Sequence, residues 1–167
     1  MQNDRQSIRL KNYNYTKQGM YYITICVQHE LDLFGSIKNG NVVLNDFGYI
    51  AETEWVKTHT IRKNINIDQY IIMPDHIHGI LIINNDRRGT VHRAPTHERF
   101  GKPIPNSIPT IIRYYKASVT RRINLLRNRP GNQIWQRNYY ERILRSINEY
   151  YAIRKYIIDN PKNWNLK

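Results

Sequence analysis

Ile71-Ile72-Met73-Pro74-Asp75-His76-Ile77-His78-Gly79-Ile80-Leu81-Ile82-Ile83 is two apolar runs joined by a Pro-Asp turn, with two histidines opening the second run. So short a connection makes the runs antiparallel neighbours. Successive side chains of an extended strand point to opposite faces, so His76 and His78 share one face and Ile77 takes the other. Two imidazoles placed in this way can hold one divalent cation. A satisfied pair on an apolar strand is the competing reading of the same motif.

Working outward, Ile65 to Met73 forms the strand before the turn and His76 to Ile83 the strand after it. Met20 to Val27, rich in β-branched and aromatic residues, is a further strand. Asn39-Gly40 between Ser36-Ile37 and Val42-Val43-Leu44 signals a tight hairpin. Asp46 to about Thr60 reads as a helix capped by Asp46, with Ile50, Trp55 and Val56 as a partial apolar stripe. Residues 84–106 hold three prolines and two glycines with little periodicity, the texture of a mobile loop. Its arginines could close over a nucleic acid or belong to a solvated linker. His92 and His97 lie in it without partner spacing and are not read as ligands.

Ser107 opens the clearest helix, with Ile108, Ile111, Ile112, Tyr115, Val119, Ile123 and Leu126 on one stripe. Its other side is basic, with Arg113, Lys116, Arg121 and the adjoining Arg122. The aromatic and basic stretch Ile134 to Arg142, with Arg137, Tyr139, Tyr140 and Arg142, is of the kind that packs against bases. Ser146-Ile147-Asn148-Glu149 is a capping box opening a last helix that Pro161 stops. Tyr150, Tyr151, Ile157 and Ile158 serve as its apolar side. The order suggests one α+β domain over residues 1–167, an antiparallel sheet with helices on one face.

The chain has 26 Lys plus Arg against 13 acidic residues in 167, a net charge of +13, and a pI of about 10.0. This favours a polyanionic partner, nucleic acid ahead of a membrane surface. Thirteen tyrosines and three tryptophans supply faces on which bases could stack. Cys26 is the only cysteine, which excludes an internal disulfide, fits a reducing compartment and reads as core. No apolar run is long enough to span a bilayer, and Met1 to Arg5 lack a signal-peptide core. A cytoplasmic location is expected, nucleoid-associated when bound to DNA.

Tyr156 and Asn160 stand at i and i+4 on the last helix and therefore on one face. If that face meets His76 and His78, the Asn160 amide oxygen completes a two-nitrogen, one-oxygen ligand set with open positions. Such a set suits Mg²⁺ or Mn²⁺ bridged to a phosphate. Tyr156 would then sit beside a polarised phosphorus as nucleophile.

The Met73-Pro74-Asp75-His76-Ile77-His78-Gly79-Ile80 strand resembles the Met-Pro-x-His-x-His signature of single-tyrosine HUH transposases, most closely the REP-associated tyrosine transposases. Three further blocks resemble that family in the same order: Tyr114 to Asn124, Ile134 to Arg145, and Tyr156-Ile157-Ile158-Asp159-Asn160-Pro161. The resemblance implies a ferredoxin-like, RRM-like fold with a four- or five-stranded antiparallel sheet. It implies His76, His78 and Asn160 as ligands of Mg²⁺ or Mn²⁺, and Tyr156 as nucleophile. The reaction it implies is nicking and rejoining of single-stranded DNA near hairpins through a 5′-phosphotyrosine. It also implies contact with that DNA, as a monomer or as a homodimer exchanging tyrosine helices. Arg142 stands where such proteins often have histidine, and Asp75 where they often have asparagine. The carboxylate of Asp75 could add charge near the metal or cap the turn, and the turn is the favoured reading. Two rivals remain: a domesticated, non-cleaving binder of nucleic-acid hairpins, and a metal-dependent hydrolase of small phosphoesters.

Overall fold

The computed structural model describes residues 14–84 and 104–166. In chain order the elements are β1 (Gly19–Cys26), β2 (Gly35–Lys38), β3 (Asn41–Leu44), α1 (Asp46–Ile61), β4 (Ile65–Ile72), β5 (His76–Ile83), α2 (Ile108–Leu126), β6 (Tyr140–Leu144) and α3 (Ile147–Asp159). Four strands make one antiparallel sheet in the order β4-β5-β1-β6. With β2 and β3 set aside as an inserted hairpin, the path β1-α1-β4-β5-α2-β6 is the split βαββαβ arrangement of ferredoxin-like domains. Asn39 and Gly40 turn the hairpin with φ of 51° and 71°, the left-handed pair of a two-residue I′ turn.

The alternation of β1 and β5 divides the core. Tyr21, Ile23, Ile25, Ile77, Leu81 and Ile83 point to one face and pack with Trp55 of α1 and the Ile108, Ile111, Ile112, Tyr115, Val119 and Ile123 stripe of α2. Tyr22, Ile80 and Leu144 point to the other, where Ile157 of α3 covers them. Helices therefore flank both faces, not one. The reason lies in β5, whose residues are buried on both sides, so each face needs a cover. Gly79 sits on the first face because the Trp55 indole occupies the space of a side chain: a Cβ there would lie 2.4 Å from the ring.

Several local expectations are corrected. Asn45 caps α1, accepting from Gly48 N–H at 3.0 Å. Asp46 only begins the helix. The buried face of α1 is Ala51, Glu54, Trp55 and Thr58, while Val56 is exposed. Leu126, at the frayed end of α2, is exposed too. Tyr140 to Leu144, part of the aromatic and basic stretch, is the edge strand β6. Glu141 and Arg142 put charge into this edge strand, one way such edges avoid unwanted pairing and a reason the pattern hides a strand. On α3 the covered stripe is Tyr150, Ile153, Arg154 and Ile157, whereas Tyr151 and Ile158 face solvent. Trp135, expected to face bases, is buried against Phe34 and Tyr115. Cys26 is half-buried and opposes His76 across the β1–β5 ladder, at the core's margin. His92, His97 and most of the 84–106 segment lie outside the described residues. No helix among the described residues is long and apolar enough to cross a membrane.

Candidate active site

His76 and His78 lie on the α3 side of β5, both buried, their Nε2 atoms 3.0 Å apart. The other nitrogen of each ring is held from behind. His76 Nδ1 donates to the Asp75 carboxylate, which can only accept, so the His76 proton sits on Nδ1 and Nε2 keeps its lone pair. Asp75 thus orients a ring and does not merely cap the turn. His78 Nδ1 lies 2.8 Å from the Tyr22 hydroxyl and 2.9 Å from Thr24 Oγ1. Hydroxyls donate or accept, so they satisfy either tautomer of His78.

That freedom gives the pair two self-consistent states. With the His78 proton on Nε2, the rings hydrogen-bond to each other. With it on Nδ1, two lone pairs converge on one point. Nε2 atoms 3.0 Å apart could both serve as donors to one divalent cation such as Mg²⁺ or Mn²⁺. Among the described residues no group of three His, Cys, Asp or Glu side chains could hold a metal. Asn160 is buried at the C-cap of α3, one turn beyond Tyr156.

Tyr156 reaches the same place from the helix. Its ring centroid is 5.3 Å from that of His78 and 6.4 Å, edge-on, from Tyr22. Although near the pair, Tyr156 is 49% exposed, so its phenol is open to a large substrate. Tyr22 is the opposite case: burial, with nearby Tyr156 and Tyr140 adding to it, pushes its phenol well above the ordinary range, against the hydrogen bond with Thr24. It stays neutral as a ring-holding hydroxyl. Trp164 stacks on His76 at 6.0 Å. The sequence reading missed Tyr22, Thr24 and Trp164. The first two share a β1 face through period-two spacing, but only the β1–β5 register brings them to His78.

α3 is fixed over the sheet by more than Ile157. β4 bulges between Ile67 and Tyr70, and Asp68 there accepts from Arg154 Nε at 3.0 Å. The bulge re-aims a side chain that regular alternation would place differently.

The residues expected to contact DNA divide into engaged and open ones. Lys116 Nζ donates to the carbonyls of Gln136 and Asn138 at 2.9 and 2.8 Å, and burial pushes its ammonium down to about 8. Arg122 pairs with Glu54 at 2.7 Å and Arg142 with Glu149 at 2.6 Å. Tyr139 donates to Glu141. Arg113, Arg121, Arg137 and Tyr140 are exposed. Tyr140 lies edge-on to Tyr22, the residue that holds His78, at 6.2 Å.

An uncharacterized protein of Haemophilus influenzae (strain ATCC 51907 / DSM 11121 / KW20 / Rd) is 38% identical over 164 residues, covering 96% of this chain and 89% of that one. The chain belongs to its family. No family model matches the chain. Its fold is that of two solved structures. One is a REP-associated tyrosine transposase bound to a REP hairpin, with a TM-score of 0.62, 18% identity, and 95% of this chain and 73% of that chain covered. The other is a candidate transposase from Deinococcus radiodurans R1, with a TM-score of 0.50, 15% identity, and 92% and 98% covered. At these identities the family of the Haemophilus protein and the transposase-like fold are what the likenesses establish.

Proposed function

We propose that this protein is a transposase-like DNA strand transferase that nicks and rejoins single-stranded DNA near hairpins, with Tyr156 as nucleophile. The observation that carries the reading is the convergence within one chain of an exposed phenol on α3 and two imidazoles whose Nε2 atoms face one point. The shared fold with a hairpin-bound tyrosine transposase supports it, as does the net charge of +13.

His76, His78 and Asn160 would hold Mg²⁺ or Mn²⁺, which when bound supplies charge neutralisation at the scissile phosphate. Asp75, Tyr22 and Thr24 keep both rings turned with Nε2 inward. The Tyr156 oxygen attacks phosphorus as its proton leaves to solvent, and the bond from phosphorus to the 3′ oxygen breaks, that oxygen taking a proton from solvent. The products are a 5′-phosphotyrosine and a free 3′-hydroxyl. Attack by a 3′-hydroxyl on the phosphotyrosine reverses the step and reseals the strand, so the bond energy is conserved in the adduct.

The test is to incubate the protein with hairpin-bearing single-stranded DNA and Mn²⁺ and to resolve protein–DNA adducts under denaturing conditions. A shifted band that needs Mn²⁺, disappears in Tyr156→Phe and maps to Tyr156 is expected. An adduct that persists in Tyr156→Phe overturns the nucleophile. Salt-dependent binding indifferent to EDTA with no adduct on any substrate favours the non-cleaving binder. Because phenol and imidazoles meet within one chain, mixing Tyr156→Phe with His78→Ala should not restore adduct formation. Restoration would mean that helices are exchanged between two copies.

A further inference from the structure

The C-terminal half of α2 and the chain returning beside it, residues 128–137, enclose a groove of ≈ 1670 Å³ on the sheet face away from Tyr156. Small ligands occupy roughly 300–1,000 Å³, so this volume suits a length of polymer. Lys116, Arg121, Arg122 and Arg137 line it, and among the described residues no carboxylate does. Side-chain amides fill much of the remaining wall, Gln28, Asn132, Gln133 and Gln136 among them. Cations without acids attract a phosphate backbone, and amides offer the donor and acceptor pairs that base edges require.

The walls are bonded to each other at both ends. Asn124 Nδ2 donates to the Asn132 carbonyl at 2.8 Å, and Trp135 Nε1 donates to the Lys116 carbonyl at 3.1 Å. An unpaired strand offers its base edges to such amides, whereas in a duplex those edges are engaged with the partner strand. His29 stands on its rim with φ of 60°, followed by Glu30 at 51°, consecutive left-handed residues of the kind that accumulate at ligand clamps. The chain that lines the groove is bonded to the end of β1, the strand that pairs with β5. Gln136 N–H donates to the Cys26 carbonyl at 3.0 Å, Gln28 N–H to the Ile134 carbonyl at 2.7 Å, and Cys26 opposes His76 in the sheet.

We propose that this groove binds a single-stranded nucleic-acid segment flanking the one at His76, His78 and Tyr156, with phosphates on Arg121 and Arg137 and bases against the amide wall. Lys116 and Arg122, committed to carbonyls and to Glu54, keep the walls in place and add field. The inference rests on the reading of the chain as a nucleic-acid enzyme but not on its chemistry.

The test therefore uses the Tyr156→Phe chain without divalent metal, and follows anisotropy of a labelled single-stranded oligonucleotide. Arg121→Gln with Arg137→Gln should weaken binding about tenfold and reduce the slope of log K against log salt by about 1.4, two phosphate contacts at single-strand values. Both residues are exposed, so the variant should fold. The same charge change at Lys38 and Lys63, also exposed, should leave binding nearly unaltered. Equal losses in both variants, or none in the first, overturn the proposal, and a loss seen only on blunt duplex overturns the single-strand occupant. If groove-dependent binding holds but the wild-type chain forms no adduct with Mn²⁺, the strand-transfer reading fails and the groove stands.

Discussion

Under α1 and α2 the sheet is closed by a continuous hydrocarbon core, with Trp55, Ile23, Ile25, Ile77 and Leu81 almost without exposure. Under α3 the same strands meet only a thin cluster of Tyr22, Ile80, Leu144 and Ile157, and beside it lie histidines, a threonine and a half-exposed phenol. The difference teaches how one β5 strand serves two purposes. Its odd residues lock the register against the first core, and that register determines where His76 and His78 stand on the other face. Rigidity is supplied on one side, and the groups free to meet a substrate are on the other.

The largest separation should come from Tyr156→Phe. Adduct formation should vanish, while stability changes by no more than about 0.5 kcal/mol, as for an exposed substitution. Denaturant unfolding beside the adduct assay checks both. A clear drop in stability would mean that the phenol is part of the α3 packing. On the opposite face, Trp55→Ala should cost about 3–5 kcal/mol, because the indole fills the space against Gly79 and Tyr115. Protein that still folds should form adduct at the wild-type rate when unfolding is held off by low temperature. Ile157→Ala, in the thin cluster, should cost about 2–3 kcal/mol, the low end for such a truncation, since half-exposed neighbours can close in. Here adduct formation should fall more than stability does. Equal sensitivity of the two faces would erase the comparison.

Glu54 adds a pH dimension confined to the α1/α2 side. Burial alone would raise its carboxyl, but hydrogen bonds from Lys57, Ser118 and Arg122 outweigh burial and bring it down to about 2. A carboxylate lowered on folding stabilises the protein above its ordinary range near 4.5 and loses that contribution as pH falls towards 2. Stability should decline through that window by on the order of 1–2 kcal/mol from this group, and Glu54→Gln should flatten the decline. A decline of the same size in the variant would assign it to other carboxylates.

What the sequence made legible follows the same division. The turn at Pro74-Asp75, the alternation in β5, the Asn39-Gly40 hairpin and the α2 stripe are local patterns with strong periods, and each found its place. Helices on both faces escaped notice because the α3 stripe mixes Tyr150, Ile153, Arg154 and Ile157, and an arginine within an apolar stripe blurs the period. β6 escaped because an edge strand is half polar. At the site, His76, His78 and Tyr156 were legible as residue types, and their meeting is geometric. The hold of Tyr22 and Thr24 on His78 depends on strand register, which no local spacing encodes. The commitment of Lys116, Arg122 and Arg142 to internal partners was equally hidden, since a basic face looks the same whether its charges are spent or free.

The smallest expected effect probes the joint between the two regions. Asp68 and Arg154 form a partly exposed ion pair, with side chains 18% and 37% exposed, and such pairs contribute about 0.2–1 kcal/mol. A double-mutant cycle with Asp68→Ala and Arg154→Ala should return a coupling in that range, falling with added salt. The kinetic consequence should exceed the thermodynamic one. Arg154 lies two residues before Tyr156, so releasing it from the β4 bulge loosens the helix that presents the phenol. Adduct formation should slow about threefold or more in either single variant, because small misplacements of a reacting group are costly. An unchanged rate with a measurable coupling would show that Ile157 alone sets the position of α3, and that the bulge serves the sheet edge and not the site.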